Sequence, residues 1–244
     1  MNGTLYLIPD SLGPGALDDV LPASVRHTTA QLDYFIAENA KTARAFLKLV
    51  SVTHPLAKPL QEIEIRELNV KTAASELPSL LAPLLAGRDA GLVSEAGVPA
   101  VADPGADLVR LAHQKNIRVK PLVGPSSILL ALMASGLNGQ SFTFHGYLPT
   151  DAALRGSRLR QIEQRSRQEN LTQIFIETPY RNEALIEAIA THCTGTTLVS
   201  LATDLTLETE TVRTQSVHLW KNEITAGRFP EFRKKPTVFL LLAS

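Results

Sequence analysis

Three stretches of this chain place glycine, proline and small hydroxyl residues where backbone amides could meet a ligand. They are residues 10–15 (D-S-L-G-P-G), 94–105 (S-E-A-G-V-P-A-V-A-D-P-G) and 123–127 (V-G-P-S-S). Each follows a short apolar run that reads as a buried strand. Glycine at such a point removes side-chain bulk, allows positive φ and lets a ligand approach the backbone. Taken singly, each stretch reads just as well as a tight turn. None fits G-x-G-x-x-G or G-x-x-x-x-G-K-[ST], so neither a dinucleotide fingerprint nor a P-loop is supported. Glu95, Asp103 and Glu177 lie in or beside these loops and have two readings, as helix caps facing water or as holders of a ribose or cation. The six histidines are scattered with no pair at metal-ligand spacing, so no metal site is expected. There is no G-x-S-x-G element, and the single Cys193 sits in a polar context, so nucleophilic catalysis has no signature. Arg155, Arg158, Arg160, Arg165 and Arg167 crowd one helical segment, either as a solvated face or as a phosphate-contacting surface.

The elements that must position these residues alternate along the chain. Strand-like runs at 5–8, 33–37, 63–68, 91–94 and 118–123 are separated by helical patterns at 16–21, 40–50, 73–86 and 107–114. Such alternation predicts a mainly parallel sheet with helices on both faces, and ligands in such sheets collect at the carboxyl ends of strands. A second series begins at 124–125. Helices are predicted at 128–135, 152–168 and 181–190, and strands at 142–145, 172–177 and 197–203. Segments 209–213 and 238–242 complete a partly antiparallel sheet. The pattern places a boundary between domains 1–118 and 119–244.

Composition bounds the class. The 244 residues carry 24 basic and 24 acidic side chains, so bulk electrostatics do not favour coating nucleic acid, although a local basic patch is compatible. One cysteine excludes an intramolecular disulfide and a cysteine-cluster zinc site. No apolar run approaches the length of a membrane span, and the first nine residues lack the pattern of a secretory signal, so a soluble, cytoplasmic α/β protein is expected.

Taken together, the loops are more specific. Residues 93–105, V-S-E-A-G-V-P-A-V-A-D-P-G, strongly resemble the V-S-D-A-G-T-P-x-x-x-D-P-G motif of the tetrapyrrole methylase superfamily. P-L-V-G-P-S-S at 121–127 followed by A-L-M-A-S-G-L at 131–137, F-H-G-Y-L-P at 144–149, and I-F-I-E-T-P-Y-R at 174–181 are similar to further motifs in the same order. The nearest resemblance is to the ribosomal RNA small-subunit methyltransferase I group, whose opening L-Y-I-V-P is similar to L-Y-L-I-P at 5–9.

The resemblance implies two α/β domains with S-adenosylmethionine in the cleft between them, in a homodimer. It also implies methyl transfer to a ribose 2′-oxygen of small-subunit ribosomal RNA, with the ribosomal RNA or the small subunit as partner and no metal. Carried over by motif position, the cofactor contacts are Ala96, Gly97, Val98, Val101, Ser126, Ser127 and Glu177. No catalytic residue is assigned. The acceptor-side motifs differ: the group's A-E-D-T-R-H-T stands here as A-E-N-A-K-T-A at 37–43, which keeps Glu38 only in part of its setting, and its K-G-E is replaced by K-K-P at 234–236. A methylase of the same fold with a small-molecule or tetrapyrrole acceptor therefore stays open, as does cofactor or RNA binding without turnover. Phe142, Phe144, Tyr147 and Leu148 are the aromatic and apolar cluster from which a dimer contact would draw, with an ordinary buried strand as the other reading.

Overall fold

A computed structural model of the chain describes residues 1–228 and 232–244. It divides into two compact units, Met1–Ser126 and Ser127–Ser244. The boundary placed after residue 118 falls inside a strand, Arg118–Pro121, that is hydrogen-bonded into the first sheet.

The first unit runs β1 (Thr4–Ile8), α1 (Ala23–Ala30), β2 (Tyr34–Ala37), α2 (Ala40–Val50), β3 (Glu64–Glu67), α3 (Leu77–Leu85), β4 (Ala90–Val93), α4 (Gly105–Gln114) and β5 (Arg118–Pro121). Its five strands are all parallel in the order β3-β2-β4-β1-β5. Because side chains alternate across a strand, each central strand feeds two cores. Leu5, Tyr34, Ile36, Ala90 and Leu92 meet Leu80, Leu84 and Leu108 of α3 and α4. Ile8, Phe35 and Val93 meet Phe46, Leu47 and Val50 of α2 and Ala30 of α1. Gly91 has a local reason: a Cβ there would lie 2.6 Å from Ile8 Cδ1 and 2.8 Å from Phe35, so only glycine lets these side chains close over the central strand.

The second unit runs α5 (Ser127–Ser135), β6 (Phe142–Tyr147), α6 (Ala152–Glu169), β7 (Thr172–Glu177), α7 (Asn182–His192), β8 (Leu198–Thr203), β9 (Thr211–Ser216), α8 (Val217–Thr225) and β10 (Thr237–Leu242). Strand order is β6-β7-β10-β8-β9, parallel between β6 and β7 and antiparallel elsewhere. The near-continuous apolar β10 takes the centre, where both faces are covered. On one face Phe175, Val199, Leu201, Phe239 and Leu241 pack with Leu159, Ile162, Ile186, Ile189 and Trp220. On the other, α5 lies over β8, β9 and β10, and Thr214 Oγ1 donates to Ser135 O at 2.7 Å.

Two helices are absent from the sequence reading. α1 (A-S-V-R-H-T-T-A) has a weak pattern and no side-chain cap, and is held instead by tertiary contacts. Its buried Arg26 pairs with Asp18 and donates to Thr53 Oγ1 at 2.9 Å. For α8 the signal existed: Ser216 caps it, and Val217, Trp220 and Ile224 recur on one face. The 142–148 cluster divides. Leu148 is buried in the core, whereas Phe142 and Tyr147 stand 42% and 57% exposed on edge strand β6.

Candidate functional site

The parallel sheet of the first unit brings the three glycine-containing loops to the carboxyl ends of its adjacent strands β4, β1 and β5. Asp10, two residues beyond β1, donates its backbone N–H to Gly97 O at 2.9 Å, forming an isolated bridge between the first and second loops. Gly97 has φ +69°, and a Cβ there would lie 3.2 Å from Leu12 Cδ2 and 3.5 Å from Pro125 O, so one glycine is flanked by all three loops. Gly124 lies so near Pro9 that a Cβ would sit 2.2 Å from its Cγ, which fixes the third loop against the first.

The second loop is held by its own carboxylate. Asp103 accepts from Ala100 N–H at 2.9 and 3.0 Å and from Gly105 N–H at 2.7 Å, pinning the entry into α4. Two residues inside this clamp, Ala100 and Ala102, adopt φ of 65° and 63°. Left-handed backbone costs a non-glycine residue roughly 1–2 kcal/mol, so the loop shape is enforced against local preference. Within it Gly97 is buried, Val98 half-buried, and Ala96 and Val101 exposed. The amides of Ala96, Gly97 and Val98 are not drawn into the Asp103 clamp, and Ser94 Oγ donates to Ala96 O at 3.3 Å.

Burial makes this end of the sheet unusual electrostatically. It raises the Asp10 carboxyl from 3.8 to about 6, against the opposing hydrogen bonds from Ser11. Burial also raises Glu38, with the Glu95 and Asp103 charges adding to it and a hydrogen bond from the Glu95 backbone opposing it. Asp103 is raised by burial as well, opposed by its two backbone donors. Glu38, Pro99, Asp103 and Gly105 share one small cavity lining with Leu92 and Val93. Asp10 was missed from sequence because a lone aspartate after a strand carries no pattern. Glu38 was visible only through its resemblance to a motif whose neighbours have changed.

Ser126 closes the first unit and Ser127 opens α5 in the second. Glu177 ends β7 and is almost fully buried, with its side chain 1% exposed. Its Oε1 accepts from Arg181 Nη2 at 2.5 Å, Arg181 Nε at 3.0 Å and Thr178 N–H at 2.6 Å, while Oε2 has no hydrogen-bond partner among the described residues. A helix cap facing water is therefore the wrong description of Glu177. It is one half of a buried ion pair with a spare acceptor.

The arginines of α6 have structural employment. Arg155 donates to Thr150 O at 3.0 Å, Arg158 to His145 Nδ1 at 3.2 Å, and Arg160 to His192 Nδ1 at 3.0 Å. Arg165 pairs with Glu169, and Arg167 reaches Ser244 O at 3.1 Å. Because Arg158 donates to Nδ1, His145 sits as the neutral tautomer with Nε2–H on Gln173, and burial lowers its pKa. Cys193 is pushed up to about 12 by burial and then by the Glu163 charge, so it stays a thiol. Among the described residues no group of three or more His, Cys, Asp or Glu converges as metal ligands would, and no helix is long and apolar enough to cross a membrane.

A glycine-gripped loop after a central parallel strand, paired with a second mixed α/β unit, defines a class. Residues 4–218 match the model of the tetrapyrrole (corrin/porphyrin) methylases, and the chain belongs to that family. More particularly, it is 34% identical over 206 residues to the ribosomal RNA small subunit methyltransferase I of Streptococcus pyogenes serotype M3, covering 84% of this chain and 66% of that protein. It is 32% identical over 210 residues to the protein of the same name from Xylella fastidiosa, covering 86% and 71%. The chain thus spans about two thirds of the length of these relatives. Solved structures share the fold. The methyltransferase CobJ has a TM-score of 0.63 at 16% identity, covering 99% of this chain and 95% of that one. The cobalt precorrin-4 methyltransferase CbiF has a TM-score of 0.60 at 13% identity, covering 98% and 94%.

Proposed function

We propose that the protein is an S-adenosylmethionine-dependent methyltransferase that methylates a ribose 2′-oxygen of small-subunit ribosomal RNA. The observation that carries the reading is the 94–105 loop, built around buried Gly97 at positive φ and flanked by Leu12 and Pro125. The residues present fit a cofactor. A Cβ at Gly97 would fill the space against Leu12, and the backbone at Ala96, Gly97 and Val98 is free of the Asp103 clamp. Val101 flanks that grip. Ser126, Ser127 and Glu177 enter as further cofactor contacts through the family resemblance, with the Glu177 Oε2 acceptor left over from its pair with Arg181. The cofactor supplies an electrophilic methyl on a sulfonium. Its transfer is an in-line displacement in which the ribose oxygen gains the methyl, the sulfur keeps the bonding pair and the hydroxyl proton departs. Catalysis of this kind rests on positioning. The carboxyl of Asp10, raised to about 6, and that of Glu38, raised by burial, stand beside the loop, where a carboxylate can accept that proton. The acceptor assignment follows from the relatives' names, and with it a cytoplasmic location. The homodimer of the family reading would draw on the exposed Phe142 and Tyr147 of β6.

The test is transfer of labelled methyl from S-adenosylmethionine into purified small ribosomal subunits, free RNA and a small-molecule extract. Label in small-subunit RNA, at a nucleotide made resistant to alkaline cleavage by the blocked 2′-oxygen, is the expected result. Label in the extract alone would overturn the RNA reading. Gly97→Arg, folded but unable to bind S-adenosylmethionine by calorimetry, is the matching site control; unchanged affinity removes this loop from the site.

A further inference from the structure

From the exposed face of α2 we infer a docking surface for the phosphate backbone of RNA, formed by Lys41, Arg44 and Lys48. This rests on the RNA-methyltransferase reading and adds to it where the substrate is gripped. The three side chains recur at helical spacing on the exposed side of α2, while Ala43, Phe46, Leu47 and Val50 on the opposite side are buried in the core. Residues 40–50 contain no acid. Among the described residues none of the three bases is in an ion pair, and Arg44 reaches only its own helix, at Ala40 O, 3.4 Å away. Two acids lie at the start of the helix, Glu67 accepting from the Ala40 N–H of α2 at 3.0 Å and Glu38 from the Glu95 backbone, and among the described residues neither forms an ion pair with the three bases.

α6 differs from α2 in what its bases touch. That helix holds more arginines, yet they anchor a loop, two histidines and the chain's carboxyl end. α2 keeps its cations uncommitted in a chain whose net charge is zero. Position points the same way. The residue just before the α2 cap, Glu38, donates its N–H to Val93 O at 3.3 Å and lines the small cavity of the 94–105 loop. The basic stripe therefore leads away from the loop that the reading assigns to the cofactor. Seven residues separate Lys41 from Lys48, about 10 Å along the helix axis. A membrane surface fits poorly, because the apolar side that would insert is already in the core.

The test is binding of a fluorescent mixed-sequence RNA oligomer across a salt series, for the wild type and for Lys41→Gln/Arg44→Gln/Lys48→Gln. Each lost phosphate contact lowers the salt slope by about 0.7–0.9, so the triple variant should lose about 2–3 in slope and at least tenfold in affinity near physiological salt. Its S-adenosylmethionine affinity should be unchanged. The conservative Lys41→Arg/Lys48→Arg should retain the slope. The charge-matched control Arg110→Gln/Lys115→Gln/Lys221→Gln should behave as wild type. An unchanged slope in the α2 variant, or an equal loss in the control, overturns the docking surface. So does a variant that loses affinity for polyglutamate while keeping it for RNA, which would assign the face to an acidic protein. Methyl transfer separates the two claims. If wild type and α2 variant label small subunits with the same KM, the surface fails and the function stands. If no RNA is ever labelled but the variant still loses RNA affinity, the function fails and the surface stands.

Discussion

Removing the Asp103 carboxylate tests whether the 94–105 loop is a preorganised grip or a passive turn. Asp103→Ala leaves two backbone donors, Ala100 N–H and the buried Gly105 N–H, without their acceptor. Hydrogen bonds to a charged acceptor contribute about 1.5–3 kcal/mol each, or roughly 3–6 kcal/mol for the pair. Burial of the carboxylate, which raises its pKa, offsets part of that, so a net loss of about 2–4 kcal/mol from the ordered loop is expected. The strain then works against the variant, because Ala100 and Ala102 no longer have a clamp holding them at φ of 65° and 63°. If binding needs the ordered loop, a 2 kcal/mol shift lowers apparent S-adenosylmethionine affinity by up to about 30-fold. Hydrogen exchange across residues 94–105 and calorimetry on the same samples read the two consequences. Asp103→Asn, which retains one acceptor oxygen, should fall between. Adding Ala100→Gly and Ala102→Gly to Asp103→Ala should recover about 1 kcal/mol by removing the left-handed penalty. Wild-type exchange protection and affinity in Asp103→Ala would refute the reasoning, leaving the Asp10–Gly97 bridge and the two prolines as sufficient supports.

Asp10→Asn should stabilise the protein near neutrality. Raising the folded-state pKa from 3.8 to about 6 means the folded chain holds a proton that the unfolded chain has lost, so stability falls as pH rises through that window. The ionised group then costs up to about 3 kcal/mol above it. Urea denaturation at neutral pH and below pH 4 should show a gain for the variant only at the higher pH; a gain that is equal at both would sink the assignment. Glu163→Ala should cost about 2–4 kcal/mol in the same assay, because the buried carboxylate accepts from Thr194 N–H at 2.7 Å and Thr197 Oγ1 at 2.5 Å. Glu163→Gln, keeping one acceptor, should cost less than half of that, and equal losses would locate the effect in charge rather than in stranded donors.

How far the sequence reveals this molecule depends on whether a feature is local. α2 and β7 are legible to the residue because their apolar spacing and flanking residues agree. α1 is not, since what holds it is Arg26 reaching Asp18 and Thr53, partners fixed only by the fold. The same division runs through the site. The 94–105 loop is readable because glycine and proline punctuate it, and its resemblance to a family motif is strong. What fixes its shape lies in tertiary partners: the Asp10 bridge, Leu12 and Pro125 beside Gly97, and the strain at Ala100 and Ala102.

Charge shows the principle most sharply. Counting bases along the chain points to α6, where five arginines stand in a row of thirteen residues. The structure shows those guanidiniums occupied by carbonyls, imidazoles and carboxylates, so their count overstates what they can offer a phosphate. α2 has only three bases and attracts no notice by number. Its three cations have no ion-pair partner among the described residues and lie together on one exposed helix face, which suits them to release counterions on meeting a phosphate backbone. For a chain of zero net charge, a proposed nucleic-acid contact is better sought where the fold gathers unpaired bases on one face than where bases are most numerous.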